Sequence, residues 1–125
     1  LVALLDRHDA WHARCLESVE RLRLPLATTS AVLTEAFHLL QRHEAPALWR
    51  LLHSGAVVLH AIAAEALPDL EALMERYRDR PMDFADATLV HVARHEGLRT
   101  ILTVDDDFHV YRIDGRRPFE VHPTR

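Results

Sequence analysis

The most informative stretches of the sequence are 83–87, Asp-Phe-Ala-Asp-Ala, and 103–108, Thr-Val-Asp-Asp-Asp-Phe. The first begins a predicted helix, and the second continues from the apolar strand predicted at 100–104. In an open parallel sheet, ligands bind beyond the carboxyl ends of the strands. Acidic residues therefore lie at the start of a helix and after the end of a strand, which are two places where an α/β fold builds a site.

Short apolar segments alternate with amphipathic ones along the rest of the chain. Strands are predicted at 25–28, 57–62, 100–104 and 119–122, and helices at 10–22, 31–43, 48–52, 65–80 and 83–95. Thr29 or Ser30 is a predicted N-cap, and Gly55 and Gly97 are predicted helix ends. The alternation predicts a parallel sheet of about four to five strands with helices on both faces. A length of 125 residues fits a single domain, 1–125.

The composition limits the possible functions. A formal net charge of −4 excludes the strongly basic surface of a general nucleic-acid binder, but acids around a metal would leave a nuclease possible. The single cysteine, Cys15, forms no internal disulfide and is expected in the core. With no leader pattern and no apolar run of about 20 residues, we expect a soluble cytoplasmic protein.

Glu35 is the least expected carboxylate in the sequence. It lies in an apolar helix between Val32 and Leu39, and no Lys or Arg stands three or four residues away. A desolvated carboxylate is costly unless it is paired, protonated or bound to a cation. The alternative is a Glu that tilts to solvent at the edge of the apolar stripe.

The other acids also have structural explanations. Asp83 is a natural N-cap, and Asp86 at the third helical position suits the helix dipole. The run 105–107 would also serve as an Asp-rich turn. Carboxylates that converge repel each other, and Mg²⁺ or Mn²⁺ relieves that repulsion. Such a metal activates water against a phosphate, so the group predicts phosphodiester hydrolysis.

The order and spacing of these motifs resemble the PIN-domain ribonucleases, most closely the VapC-type toxins of toxin–antitoxin pairs. The stretch 28–35, Thr-Thr-Ser-Ala-Val-Leu-Thr-Glu, resembles the second acidic motif of that family. The stretch 83–87 resembles the third, and 102–108 resembles the fourth. The resemblance spans nearly the whole chain and implies a three-layer PIN-like α/β fold.

The resemblance also implies the roles of individual residues. Glu35, Asp86 and Asp105 would be the metal-site acids, and Asp107 an alternative or additional one. Asp83 would be a helix cap or a supporting residue. The family implies Mg²⁺ or Mn²⁺, an RNA substrate, a silencing antitoxin protein and a homodimer.

The sequence departs from the family pattern at its start. The family's first acid is an Asp that ends an N-terminal strand, just before the segment that begins here at Leu1. We therefore expect an N-terminally truncated chain, or else a degenerate member. The alternative function is a catalytically incomplete module that binds RNA or an antitoxin protein.

Three other features have competing explanations. His8 with His12 and His91 with His95 are spaced four apart, but no third ligand follows at a known zinc spacing, so surface histidines are expected. Trp49 is expected in the core or in a partner groove.

Two groups of arginines would bind RNA phosphates or simply be solvated: Arg76, Arg78 and Arg80, and Arg112, Arg116 and Arg117. A phosphoacceptor receiver domain is disfavoured because the chain has no lysine.

Overall fold

The computed structural model describes residues 13–15, 17, 25–80, 82–103 and 106–122. Residues 13–15 and 17 are helical. The elements that follow are β1 (Leu26–Thr29), α1 (Ser30–Leu39), α2 (Ala45–Ser54), β2 (Val57–His60), a 3-10 turn (Ala64–Ala66), α3 (Leu67–Arg76), α4 (Phe84–Glu96), β3 (Thr100–Leu102), a second 3-10 turn (Asp106–His109) and β4 (Glu120–His122). None of the helices in these ranges is both long and apolar enough to cross a membrane.

The four strands form two parallel pairs. β1 pairs with β2 from Leu26 opposite Val57 to Thr29 opposite His60, and β3 pairs with β4. The predicted alternation and parallel pairing are confirmed. Within the described ranges the pairs are two separate two-stranded sheets, and no strand joins them into one.

The predicted helix ends are confirmed where local chemistry sets them. Thr29 caps α1 by accepting a hydrogen bond from the Val32 amide at 3.4 Å. Asp83 caps α4 by accepting one from the Asp86 amide at 2.9 Å. Gly97 ends α4 in the left-handed conformation, with φ of 66°, which costs glycine little.

Two helices are shorter than predicted. α1 stops at Leu39 because Leu40 is extended, and the Glu44 carboxylate then accepts a hydrogen bond from the Gln41 amide at 2.8 Å. The helix predicted at 65–80 begins as a 3-10 turn and ends regularly at Arg76. Tyr77 breaks the helical geometry with ψ of 26°, so the last predicted turn is irregular.

Helix α4 is the central element of the packing. It contacts α3, α1 and β1, and seven of its residues are buried. The main core cluster comprises Leu70, Leu73, Met82, Ala87, Val90, Ala93, Phe108, Tyr111, Ile113 and Phe119. A smaller cluster of Ala36, Leu40 and Leu48 lies between α1 and α2. Cys15 is buried as expected. This packing fixes the N-terminal turn of α4, where Asp86 lies.

Trp49 does not lie in the core, which was one of the two locations expected for it. It is 51% exposed on α2. Its ring lies 5.0 Å from that of Phe37 and 5.9 Å from that of His53, measured between centroids. The α1–α2 hairpin therefore carries an exposed aromatic surface.

Candidate active site

A pair of buried hydroxyl groups joins the start of α1 to α4. The Oγ1 atoms of Thr29 and Thr88 are 2.8 Å apart, and both residues are fully buried. The Thr88 hydroxyl donates its one proton to the Ala85 carbonyl at 2.6 Å. The Thr29 hydroxyl must therefore donate to Thr88 while it accepts from the Val32 amide. This pair holds the helix that carries Glu35 against the helix that carries Asp86.

Replacing Thr29 with Val is expected to lower the free energy of unfolding by about 1–3 kcal/mol, because the helix cap and the bond to Thr88 are lost together. Thr29→Ser keeps the hydroxyl and should retain most of the stability. Urea unfolding of both variants measures the difference. A Val variant as stable as the Ser variant would show that the hydroxyl pair contributes little.

Glu35 interacts electrostatically with Asp83. It is exposed as a residue, in agreement with a side chain at the edge of the stripe. Its pKa is nevertheless raised, first because the carboxylate loses hydration and second because the negative charge of Asp83 lies nearby. Both causes disfavour the ionised form. Glu35 and Asp83 therefore contribute to one negative field at the N-terminus of α4.

The raised pKa of Glu35 predicts a pH-dependent effect on stability. The folded state holds this proton more tightly than the unfolded state, so the stabilisation is complete below the unfolded pKa and is lost as pH rises through the folded pKa. Without divalent metal at pH 7, Glu35→Gln should therefore be slightly more stable than the parent, by less than about 1 kcal/mol because solvent screens the charge.

Thermal unfolding in a chelator at pH 7 and near pH 4 measures this effect. The advantage of Glu35→Gln should shrink at the lower pH, and Glu71→Gln, an exposed carboxylate on α3, should show no such change. A Gln variant that is less stable than the parent at pH 7 would contradict the repulsion.

Asp86 is held in place by a tyrosine that sequence reasoning missed. The Tyr111 hydroxyl donates to Asp86 Oδ2 at 3.5 Å. Tyr111 is fully buried, and its ring packs edge-on against Tyr77 at 4.9 Å between centroids. Its amide also donates to the Asp107 carbonyl at 3.1 Å. The only sequence signal was its position four residues after Asp107, within reach of a single helical turn.

The Asp107 carboxylate forms an ion pair with the Arg80 guanidinium. Its Oδ1 accepts from Arg80 Nε at 2.7 Å, and its side chain is 28% exposed. Of the five other arginines in the two groups considered for RNA binding, four also bond through their side chains within the described part of the chain. Arg76 donates to the Gly115 carbonyl, Arg78 pairs with Glu75, Arg112 donates to three carbonyls, and Arg117 pairs with Asp114. The pKa of Asp114 falls to about 2, mainly because its carboxylate accepts hydrogen bonds from the backbone and then the side chain of Arg117. Arg80 thus neutralises one of the predicted metal-site acids.

The structure brings some of the predicted site residues together. Asp83 acts on Glu35 through its charge and on Asp86 through the cap, and Tyr111 connects Asp86 to the turn of Asp107. Asp105 lies outside the described residues. Among the residues that are described, no three His, Cys, Asp or Glu side chains are arranged to hold a metal ion.

The chemistry of these donors suits a hard divalent cation. All are carboxylates, the ligand type that Mg²⁺ and Mn²⁺ prefer. The pKa of Glu35 is raised first by lost hydration and second by the charge of Asp83, and a bound cation would favour the ionised form again. Glu35 and Asp86 therefore have the ligand chemistry that Mg²⁺ or Mn²⁺ prefers.

Comparisons with known proteins give the family of the chain. No curated protein matches it in a sequence search. Among solved structures, the crystal structure of Mycobacterium tuberculosis VapC20, a Sarcin-Ricin loop cleaving toxin, matches with a TM-score of 0.77 and 25% sequence identity, covering 98% of this chain and 93% of that one. The family model described as the PIN domain matches residues 1–114. The chain therefore belongs to the PIN domain family and has its α/β fold.

Proposed function

We propose that this protein is a metal-dependent endoribonuclease, the toxin of a toxin–antitoxin system, that hydrolyses phosphodiester bonds in RNA. The observation that carries the proposal is the shared negative field of Glu35 and Asp83 next to Asp86, at the N-terminus of the most buried helix. The similarity of the chain to a Sarcin-Ricin loop cleaving toxin supports the same conclusion.

Glu35, Asp86 and Asp105 would hold Mg²⁺ or Mn²⁺, with Asp107 as an alternative or additional ligand. When bound, the metal would polarise a phosphate and lower the pKa of a water molecule. Residues of this chain fix the ligands around it. Tyr111 orients Asp86, and the hydroxyl pair keeps α1 against α4. A carboxylate with a fixed orientation loses less entropy when a cation binds.

The partners in this proposal are an RNA substrate, a cognate antitoxin protein and a second copy of the chain. The exposed aromatic surface at the α1–α2 hairpin supports a protein partner, because Trp49 is 51% and Leu39 is 67% exposed. Clustered exposed apolar side chains commonly mark interaction sites. We place this activity in the cytoplasm, where the RNA would be reached.

A second candidate function is a catalytically incomplete module that binds RNA or an antitoxin. The ion pair between Arg80 and Asp107 favours it, because the guanidinium occupies a carboxylate that would otherwise be available to a metal. This candidate predicts binding of RNA without hydrolysis.

Metal removal separates the two functions. Protein expressed from its complete native gene should cleave RNA that contains a sarcin–ricin loop in Mg²⁺ or Mn²⁺. Chelation should reduce the rate by at least about 100-fold, since even residues behind a metal's own ligands contribute 10–100-fold. Gel analysis of end-labelled RNA with and without added metal measures the rate. RNA that is bound but uncleaved in both metals would support the binding module instead.

A further inference from the structure

Arg80 lies at the edge of the acidic site. Its backbone amide donates to the Tyr77 carbonyl at 3.1 Å in the turns that follow α3, and its Nε donates to Asp107 Oδ1 at 2.7 Å. Asp107 lies in the 3-10 turn after β3. The Asp107 carbonyl accepts from the amide of Tyr111, whose hydroxyl donates to Asp86. The Arg80 guanidinium is therefore connected to a proposed metal-binding carboxylate through two intervening residues.

No other arginine of the two groups considered for RNA binding pairs with a predicted metal-site acid in the described ranges. Arg78 pairs with Glu75, and Arg117 pairs with Asp114. Neither of these carboxylates belongs to the predicted site. Arg80 is thus the arginine of these groups that the fold brings to the acidic residues.

The Arg80 guanidinium has N–H donors beyond the one that Asp107 accepts. A guanidinium carries five N–H groups in a planar fork, and the bond to Asp107 uses the one at Nε. In the part of the chain that the structure describes, no hydrogen bond uses either terminal nitrogen of Arg80. The side chain is 50% exposed. Its two terminal nitrogens can therefore donate in parallel to two oxygens of one phosphate.

Stability alone is a weak explanation of the ion pair between Arg80 and Asp107. Both side chains are partly exposed, and ion pairs in contact with solvent contribute little to stability. An RNA chain, in contrast, needs positive charge at this site. Glu35 and Asp83 share a negative field, which repels a polyanion. A guanidinium at the edge of this field lowers the repulsion where a phosphate must approach.

We propose that Arg80 binds a backbone phosphate of the RNA substrate through its terminal nitrogens, and that Asp107 orients it through Nε. The inference rests on the proposed function, because it requires RNA at the acidic site. The planar fork of arginine matches the geometry of a phosphate, and its bond to a carboxylate fixes the fork before RNA binds. Asp107 is then the positioning residue of Arg80, and the metal is left to Glu35, Asp86 and Asp105.

RNA affinity without metal tests the proposal in a Glu35→Gln, Asp86→Asn background of the protein expressed from its complete native gene. A chelator prevents cleavage, and the two changes reduce the repulsion of RNA. Fluorescence anisotropy of labelled RNA that contains a sarcin–ricin loop gives the affinity and its salt dependence. We expect Arg80→Gln to weaken binding by about 10-fold and to reduce the salt slope by about 0.7, the value for one phosphate contact to a single strand.

Two matched variants separate the position of the charge from its geometry. Arg99→Gln removes the same charge from an exposed arginine that precedes β3, at the opposite end of this strand from Asp107, so it should keep the affinity of the background. Arg80→Lys keeps the charge but not the planar fork. It should therefore keep the salt slope and recover only part of the affinity.

Asp107→Ala tests the positioning role. It removes a negative charge that repels RNA, yet it should weaken binding by at least about 2-fold when Arg80 is present, and it should add no loss to Arg80→Gln. The loss of a partly exposed ion pair should leave each variant folded, and thermal unfolding verifies this. Tighter binding by Asp107→Ala would overturn its positioning role.

Equal affinities of Arg80→Gln and Arg99→Gln, or a weaker Arg80→Gln with an unchanged salt slope, would overturn the proposal. Cleavage of the same RNA by the parent protein in Mg²⁺ tests the proposed function separately. A parent that cleaves RNA, together with equal affinities of the two variants, would overturn only this inference. If the background does not bind the RNA, this inference is overturned as well, and the cleavage assay alone decides the proposed function.

Discussion

Asp86→Asn and Glu35→Gln are each expected to reduce RNA cleavage by at least about 100-fold, since a lost metal ligand should cost more than a lost supporting residue. Each change replaces a charged carboxylate with a neutral amide of the same shape. The amide offers one weaker oxygen ligand and no charge to attract the cation. Initial rates on end-labelled RNA in saturating Mg²⁺ measure the loss.

Matched controls separate this effect from general charge loss. Asp79→Asn and Glu71→Gln remove exposed carboxylates that have no hydrogen bond or ion pair in the described part of the chain, so both should retain the parent rate. The Asp86 cap interaction uses its backbone amide, so Asp86→Asn should remain folded. Full activity in both site variants would eliminate these acids as metal ligands.

Phe108→Ala is expected to lower the free energy of unfolding by about 3–5 kcal/mol, the usual cost of removing a buried aromatic ring. Phe108 is 1% exposed. Its ring packs edge-on against Tyr111 at 5.2 Å and against Phe119 at 5.5 Å, measured between centroids. The cavity left behind would loosen the ring that orients Asp86, so cleavage should fall as well.

Phe84→Ala provides the matched control, because Phe84 is 46% exposed at the start of α4. Its cost should stay below about 1 kcal/mol, as for most surface substitutions. Urea unfolding of both variants gives the two values. Similar costs for the two phenylalanines would mean that the Phe108 ring is not part of a tightly packed core.

Features that depend on neighbouring residues could be predicted from the sequence. Asp83 was predicted as a cap and Gly97 as a helix end because both roles follow from the chemistry of one turn. The parallel pairing of β1 with β2 followed from the alternation of strands and helices. The surroundings of Glu35 were predicted in part. The carboxylate loses hydration, as its apolar neighbours suggested, but Glu35 as a whole residue is exposed.

Contacts between distant residues could not be predicted in this way. Thr29 and Thr88 are 59 positions apart, and neither stands out among the other threonines. Arg80 and Asp107 are 27 positions apart, and each also fits a solvated loop. Periodicity identifies the face of a helix that is buried, but it does not identify the side chain that this face meets. The exposure of Trp49 depends on the packing of two helices and was likewise left undecided.

The most direct test of the metal site is an anomalous difference map from crystals of the protein, expressed from its complete native gene and grown with Mn²⁺. We expect a peak bonded to carboxylate oxygens of both Glu35 and Asp86, and none at that position in crystals of Asp86→Asn. A manganese peak that contacts neither carboxylate, or a fully active enzyme with no peak there, would contradict the proposed metal-dependent nuclease site.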